Sequence, residues 1–336
     1  MNDELSQLVD DIGRRAFEAR AGHRGLPEAF DDGLWRSLEQ SGLTRLTTDE
    51  DAGPAESAVL LGGIARHAGA VPIAETDLLA AWLAGAADLA VPADGPLTVA
   101  ITRAEPHDGR LTGTAADVPW PRSGPVVLAA RTDDATFVAL VDPTDVTATH
   151  NLAGEPRGAV AFDVSMTAVA ELPVSVGDEL VRRGAWARCV QIVGAFDAAV
   201  DMTAAHTRER VQFGRSLSQF QAVQHALAEL IGEVERSRAA TALAIAAATD
   251  DGFGTVRTEY AVTVAKVAVG RAVAPVTTIA HQLHGAIGVT AEHQLWLATM
   301  RARSWADEFG TTGHHANRLG RMALAAENPW NVVVGG

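Results

Sequence analysis

The sequence predicts a mainly α-helical protein with a central β domain: N-terminal helices, then a small β-barrel or sheet, then a C-terminal four-helix bundle. Three observations predict it. The 336 residues are 47% hydrophobic but only 5% aromatic, with long Ala-, Val- and Leu-rich stretches, and Ala and Leu cost least in a helix. Apolar residues recur at helical spacing near both ends of the chain. Between them the apolar runs shorten to strand length. The resulting boundaries are 1–95, 96–175 and 176–330.

In the first segment Leu5, Leu8, Val9 and Ile12 share one helical face, as do Ala29, Phe30, Leu34 and Leu38. DEDAGPAES (49–57) is a polar break, and a helical pattern resumes from Ala58 to His67. In the second segment LTVAIT, VVLAA, FVALV and AVAFDV read as short strands separated by PHDGR, RTDDA and AGEPRG. That spacing predicts an antiparallel sheet or barrel containing no long helix. In the third, three apolar stripes stand out: Trp186, Val190 and Val193; Phe220, Val223, Leu227, Leu230 and Val234; and Val262, Val269, Val273 and Val276, with Lys266 set among them. Ser218 and Gln221 form a capping-box signature, and Leu295–Trp305 supplies a fourth bundle helix.

A net charge of −15 argues against a nucleic-acid surface, and no basic run resembles a polybasic membrane patch. Small anions remain compatible, held by local Arg residues or helix N-termini. Cys189 is the only cysteine and reads as a small buried hydrophobe. The acidic, amphipathic N-terminus is unlike a secretory signal, and no uninterrupted apolar run reaches the ~18 residues of a membrane span. The expectation is a cytoplasmic protein.

The most informative stretch is HTRERVQFGRSLSQFQAVQHALAEL, His206 to Leu230. Arg210, Gln212, Phe213 and Gly214, followed by Phe220, Gln221 and Gln224, resemble the signature of the acyl-CoA dehydrogenase family. There an Arg-x-x-Phe-Gly turn joins two bundle helices ahead of a Gln-rich helix. An Arg fork suits a pyrophosphate. HQLHGAIGVTAEHQLW, His281 to Trp296, is similar to the family's Gln-x-x-Gly-Gly-x-Gly turn through Gln282, Gly285 and Gly288, with Ala286 in place of the middle glycine.

The resemblance implies the family's three-part fold, FAD at a subunit interface, and α,β-dehydrogenation of an acyl-CoA with electrons passed to an electron-transfer flavoprotein. It places Arg210, Gln212 and Phe213 at the cofactor, with Gln282, Gly285, Gly310 and Thr311 at the adjoining dinucleotide site. A homo- or hetero-oligomer, dimer or tetramer, is implied as well.

Two departures stand beside the match. The family's catalytic Glu precedes Gly-Thr, and here Phe309 stands in that place before Gly310 and Thr311. Glu308 is the candidate base, one residue displaced. The turn near Gly184, where another branch carries its base, has only Asp178 and Glu179 nearby. The family's flavin-contacting Thr-Glu-Pro-x-x-Gly-Ser loop is worn down to ITRAEPHDGR (101–110), and its Trp-x-Thr/Ser run becomes TAADVPWPR (114–122), with Trp120 displaced. Such losses resemble the short partner subunits of heteromeric actinobacterial acyl-CoA dehydrogenases of steroid side-chain catabolism. The alternative to an enzyme is therefore a structural subunit completing a partner's FAD and substrate sites. A metal site at His281 and His284, or at His314 and His315, lacks the repeated Glu-x-x-His pattern of carboxylate bundles, so no metal is expected.

Overall fold

The computed structural model describes residues 2–20, 25–48, 52–328 and 330, so residues 49–51 of the polar break lie outside it. The described residues form two compact units. One draws on 1–8, 23–60 and 69–184, the other on 9–22, 61–68 and 185–336.

In the first unit, α2 (Asp32–Gln40) starts where the Asp31 carboxylate accepts a hydrogen bond from Leu34 N at 2.9 Å, and it buries Leu34, Trp35 and Leu38. Pro54 opens α3 (Pro54–Arg66), an N1 position that needs no N–H. Next come a π-helix over Ala74–Ala81, every residue of it buried, and the short α4 (Trp82–Ala86). π-helices are rare and usually a single turn.

Seven strands follow: β1 (Thr98–Arg103), β2 (Arg110–Pro119), β3 (Val126–Arg131), β4 (Ala135–Val141), β5 (Val146–His150), β6 (Pro156–Ser165) and β7 (Ala170–Pro173). They make a four-stranded sheet, β1-β3-β4-β7, and a three-stranded sheet, β2-β6-β5. Leu111, Val118, Val126, Leu128, Phe137 and Phe162 belong to one core cluster fed by both.

The structure corrects one expectation here. The sheets are not wholly antiparallel: β1 and β3 run parallel, Thr98 opposite Val126. A parallel pair needs a crossover, and β2, in the other sheet, is part of it. Residues 114–119, in the stretch that replaces the Trp-x-Thr/Ser run, belong to strand β2. Trp120 beyond it is core, 4% exposed and edge-on to Phe30 at 6.1 Å.

The second unit is built on long helices: α5 (Val174–Glu209), whose first turns belong to the other unit, α6 (Gln221–Asp251), α7 (Val256–His284) and α8 (Leu295–Asp307). α9 (Thr312–Ala325) follows, and part of α1 (Asn2–Ala19) and the end of α3 also belong here. Trp186 on α5 donates to Ala244 O on α6 at 3.2 Å and meets Phe253 edge-on. α3 and α5 cross where a Cβ on Gly194 would lie 2.2 Å from Gly62 O.

The α7 stripe is buried as the spacing predicts, Lys266 included. By length and composition α7 could cross a bilayer, but 61% of its most apolar window is buried within the protein. The capping box of α6 does not form. Leu217–Gln219 is a 3-10 turn, Phe220 is extended, and the helix begins one residue later with no side-chain cap. Cys189 is fully buried, which pushes its thiol up to about 12.

Candidate functional site

α5 ends when Arg210 N closes on His206 O, after which Val211–Gln212 pairs with Arg215–Ser216. The two residues between them, Phe213 (φ 52) and Gly214 (φ 78), both take left-handed backbone. That is the pattern of a tight primed hairpin turn, in which Gly costs little and Phe is strained. Phe213 is 89% exposed. Arg210 and Gln212 are also exposed, and Arg210 has no carboxylate partner among the described residues. Arg215 lies over the Phe220 ring at 4.1 Å, which helps fix the base of the hairpin.

The second motif sits at the end of α7. Gly285 (φ 66) caps it, its N–H turned back to His281 O and Gln282 O. Gln282, Gly285 and Ala286 are exposed, and a Cβ on Gly285 would meet nothing within 4 Å. Gly288 is needed for packing, since a Cβ there would lie 2.6 Å from His284 Cβ.

The fold brings the two motifs together: the His206 ring stacks on His284 at 4.6 Å, and His293 meets His284 at 4.5 Å. His284 donates from Nδ1 to Ala280 O at 2.8 Å. Burial lowers the pKa of each of the three, His284 to about 4. The sequence offered His281 and His284 as a pair; His206 and His293, from other elements, went unnoticed. No group of three His, Cys, Asp or Glu among the described residues could hold a metal.

The third piece is the turn after α8. Glu308 is its C-cap, Phe309 (φ 54) and Gly310 (φ 105) turn the chain, and Thr311 caps α9 by accepting from His314 N at 3.1 Å. The Glu308 carboxylate accepts from Arg188 Nε at 2.7 Å. Arg188, only 2% exposed, also donates to Gln191 Oε1 and lies within 5.8 Å of the Trp305 and Phe309 rings. Lys266 Nζ donates to Ala306 O and Glu308 O, each at 2.8 Å, and His315 Nε2 to Phe309 O at 3.1 Å. Arg188 lies 120 residues from Glu308 in the chain, so no local pattern announces the pair.

The other carboxylates named from the sequence are engaged too: Asp178 with Arg131, Glu179 with Arg183, whose guanidinium lies 4.1 Å over the Trp82 ring. No sequence pattern singles out Asp77, on the π-helix of the first unit. It is 3% exposed, accepts from Thr47 N and Oγ1, and is raised by burial to about 6.

The order of helices, two sheets and long helices is that of acyl-CoA dehydrogenase folds among solved structures. Residues 178–324 match the family model of the acyl-CoA dehydrogenase C-terminal domain, and over most of its length the chain is similar to acyl-CoA dehydrogenases. Its relatives include acyl-CoA dehydrogenase IpdE2 of Mycolicibacterium smegmatis, 27% identical over 91% of this chain and 90% of that protein. Among solved structures, the ChsE4-ChsE5 complex from Mycobacterium tuberculosis superposes with a TM-score of 0.84 at 23% identity, covering 97% of both chains, a likeness of fold. A variant of the Tcur3481-Tcur3483 steroid acyl-CoA dehydrogenase gives 0.82 at 26% identity, covering 96% of this chain and 99% of that one.

Proposed function

We propose that this chain is one subunit of a hetero-oligomeric, FAD-dependent enzyme that dehydrogenates the α,β bond of an acyl-CoA, and that it completes the flavin site without donating the catalytic base. The observation that carries the second half is the 2.7 Å bond from the buried Arg188 to the Glu308 carboxylate. A base must reach the substrate proton, and freeing Glu308 for that would break a buried ion pair, at a cost of several kcal/mol. Phe309, at the position of the family's Glu, offers no carboxylate. The likenesses to the ChsE4-ChsE5 complex and to the Tcur3481-Tcur3483 enzyme support a two-chain assembly and a steroid-derived or other lipid acyl group.

The residues present fit FAD. Arg210 is an exposed cation with no carboxylate partner among the described residues, Gln212 and Gln282 are exposed amides, and Gly285 leaves open surface where a side chain would otherwise stand. Arg210 and Gln212 would hold the pyrophosphate, with Phe213 laid beside the dinucleotide, and Gln282, Gly285, Gly310 and Thr311 would line the adjoining stretch. When bound, FAD supplies the hydride acceptor and passes electrons to an electron-transfer flavoprotein. This chain's share is binding, orientation and exclusion of water; the proton goes to a carboxylate of the partner chain. The acidic surface and the lone, buried thiol fit a soluble protein of the cytoplasm.

The test is anaerobic titration of the co-purified complex with acyl-CoA thioesters, wild type against Glu308→Gln. The expected variant keeps its flavin and still bleaches, while its melting temperature falls because the buried Arg188–Glu308 ion pair is lost. Flavin that stays bound but no longer bleaches would make Glu308 the base and sink this reading.

A further inference from the structure

The Lys266 ammonium sits in a bundle core among Val262, Val269 and Val273, only 2% exposed. Burial lowers its pKa, partly offset by Cys189 and Glu308. A core that needed only filling would take an apolar side chain there with little loss. What Lys266 does is local: it takes two carbonyls at the end of α8, those of Ala306 and Glu308. The last carbonyls of a helix have no intrahelical partner, and the usual remedy is a glycine just past the end. α8 ends instead on an extended Glu308 and a left-handed Phe309.

His315, from α9, secures the next carbonyl, that of Phe309. The imidazole packs directly on the turn, since a Cβ on Gly310 would lie 2.7 Å from its Nε2. Burial lowers its pKa to about 4, so near neutrality it is an uncharged donor. With both turn carbonyls taken, the N–H groups of Phe309, Gly310 and Thr311 have no hydrogen-bond partner among the described residues.

We propose that Lys266 and His315 are positioning residues: they pin the carbonyls of Glu308 and Phe309 and thereby fix how the amides of the 309–311 turn are presented to flavin and thioester. This rests on the reading of that turn as part of the flavin site. Neither side chain touches the ligand in this scheme; each acts through the backbone it holds.

The experiment uses the co-purified, flavin-loaded complex with Lys266→Met, Lys266→Arg and His315→Leu, read by the visible flavin bands, by KM and kcat for anaerobic bleaching, and by melting temperature. Misplaced supporting groups typically cost about 10- to 100-fold. The expected result is a shifted flavin spectrum with kcat down by roughly that factor in Lys266→Met and His315→Leu, and partial recovery in Lys266→Arg. Should Lys266→Met fail to fold, Lys266→Gln keeps one donor and answers the same question. Folded variants with wild-type bands and wild-type kcat, whatever their melting temperature, would overturn the proposal. If the wild-type complex holds flavin that no thioester bleaches, the proposed function fails; the clamp is then judged on the bands alone, and unshifted bands would end it.

Discussion

Two of the three turns that carry cofactor residues named from the sequence are built in opposite ways. The hairpin at 210–216 stands in solvent: Phe213 is 89% exposed, and Arg210 has no ionic partner among the described residues. The turn at 308–311 is gripped by Arg188, Lys266 and His315, from α5, α7 and α9, each of them buried. A loop gripped by buried side chains is finished within its own chain. A hairpin that leaves a phenyl ring and a guanidinium in water is not gripped in that way, and large exposed apolar groups beside unpaired charge are common where a partner binds.

The comparison breaks most readily at its glycines. Gly310 and Gly214 both have positive φ, so alanine strains either backbone by about 1 kcal/mol. At Gly310 the added Cβ would also lie 2.7 Å from His315 Nε2, whereas at Gly214 it meets nothing within 4 Å. Gly310→Ala is therefore expected to cost about 2–4 kcal/mol, adding overpacking to strain, and Gly214→Ala only the strain. Denaturant midpoints measure both; equal losses would erase the distinction.

Acid offers a milder test. His284 and His315 have folded pKa values lowered to about 4 from an ordinary 6.5, each chiefly by burial. The unfolded chain binds their protons first, so the stability they represent is complete above about 6.5 and lost as pH falls towards 4. Lys266, His314 and Arg318, the charged groups acting on His315, all push the same way. Protection of the Glu308 amide, which donates to Trp305 O, should fall across that window relative to intrinsic exchange, while the hairpin, already exposed, changes little. Asp77 in the other unit runs in reverse: its pKa is raised to about 6, so its burden on the fold eases as pH drops from above 6 towards 4.

The smallest stability effect is expected at Arg210. Replacing this exposed residue by Ala should shift the folding free energy by no more than about 0.5 kcal/mol, yet the assembled complex should lose flavin on gel filtration. Full flavin retention would remove the hairpin from the cofactor site.

What the sequence made legible follows from the range of the forces involved. The apolar runs at 97–102, 126–130 and 137–141 announce strands β1, β3 and β4 because alternation and β-branching are local. β5 was missed because four of its five residues are exposed and carry no apolar run. The parallel pairing of β1 with β3 depends on a detour through another sheet, which no window reveals. The capping box at Ser218 matched a local rule that the 3-10 turn containing that serine overrode. Lys266 stood out as one charge in an apolar stripe, but its role needed the end of α8, 40 residues on. Arg188 looked unremarkable until Glu308 arrived beside it.

The crossing of α3 and α5 has a consequence for how this chain can drift. Two glycines face each other there, yet they are not equally bound to remain glycine. A Cβ on Gly62 would meet Val190 Cγ1 at an ordinary 3.7 Å, whereas one on Gly194 would press to 2.2 Å from a backbone oxygen. Mutation can pass through position 62 and is turned back at 194, so a pair symmetric in composition is one-sided in inheritance. The mildest change in the genetic code, glycine to alanine, is neutral on one helix and forces the backbones apart on the other.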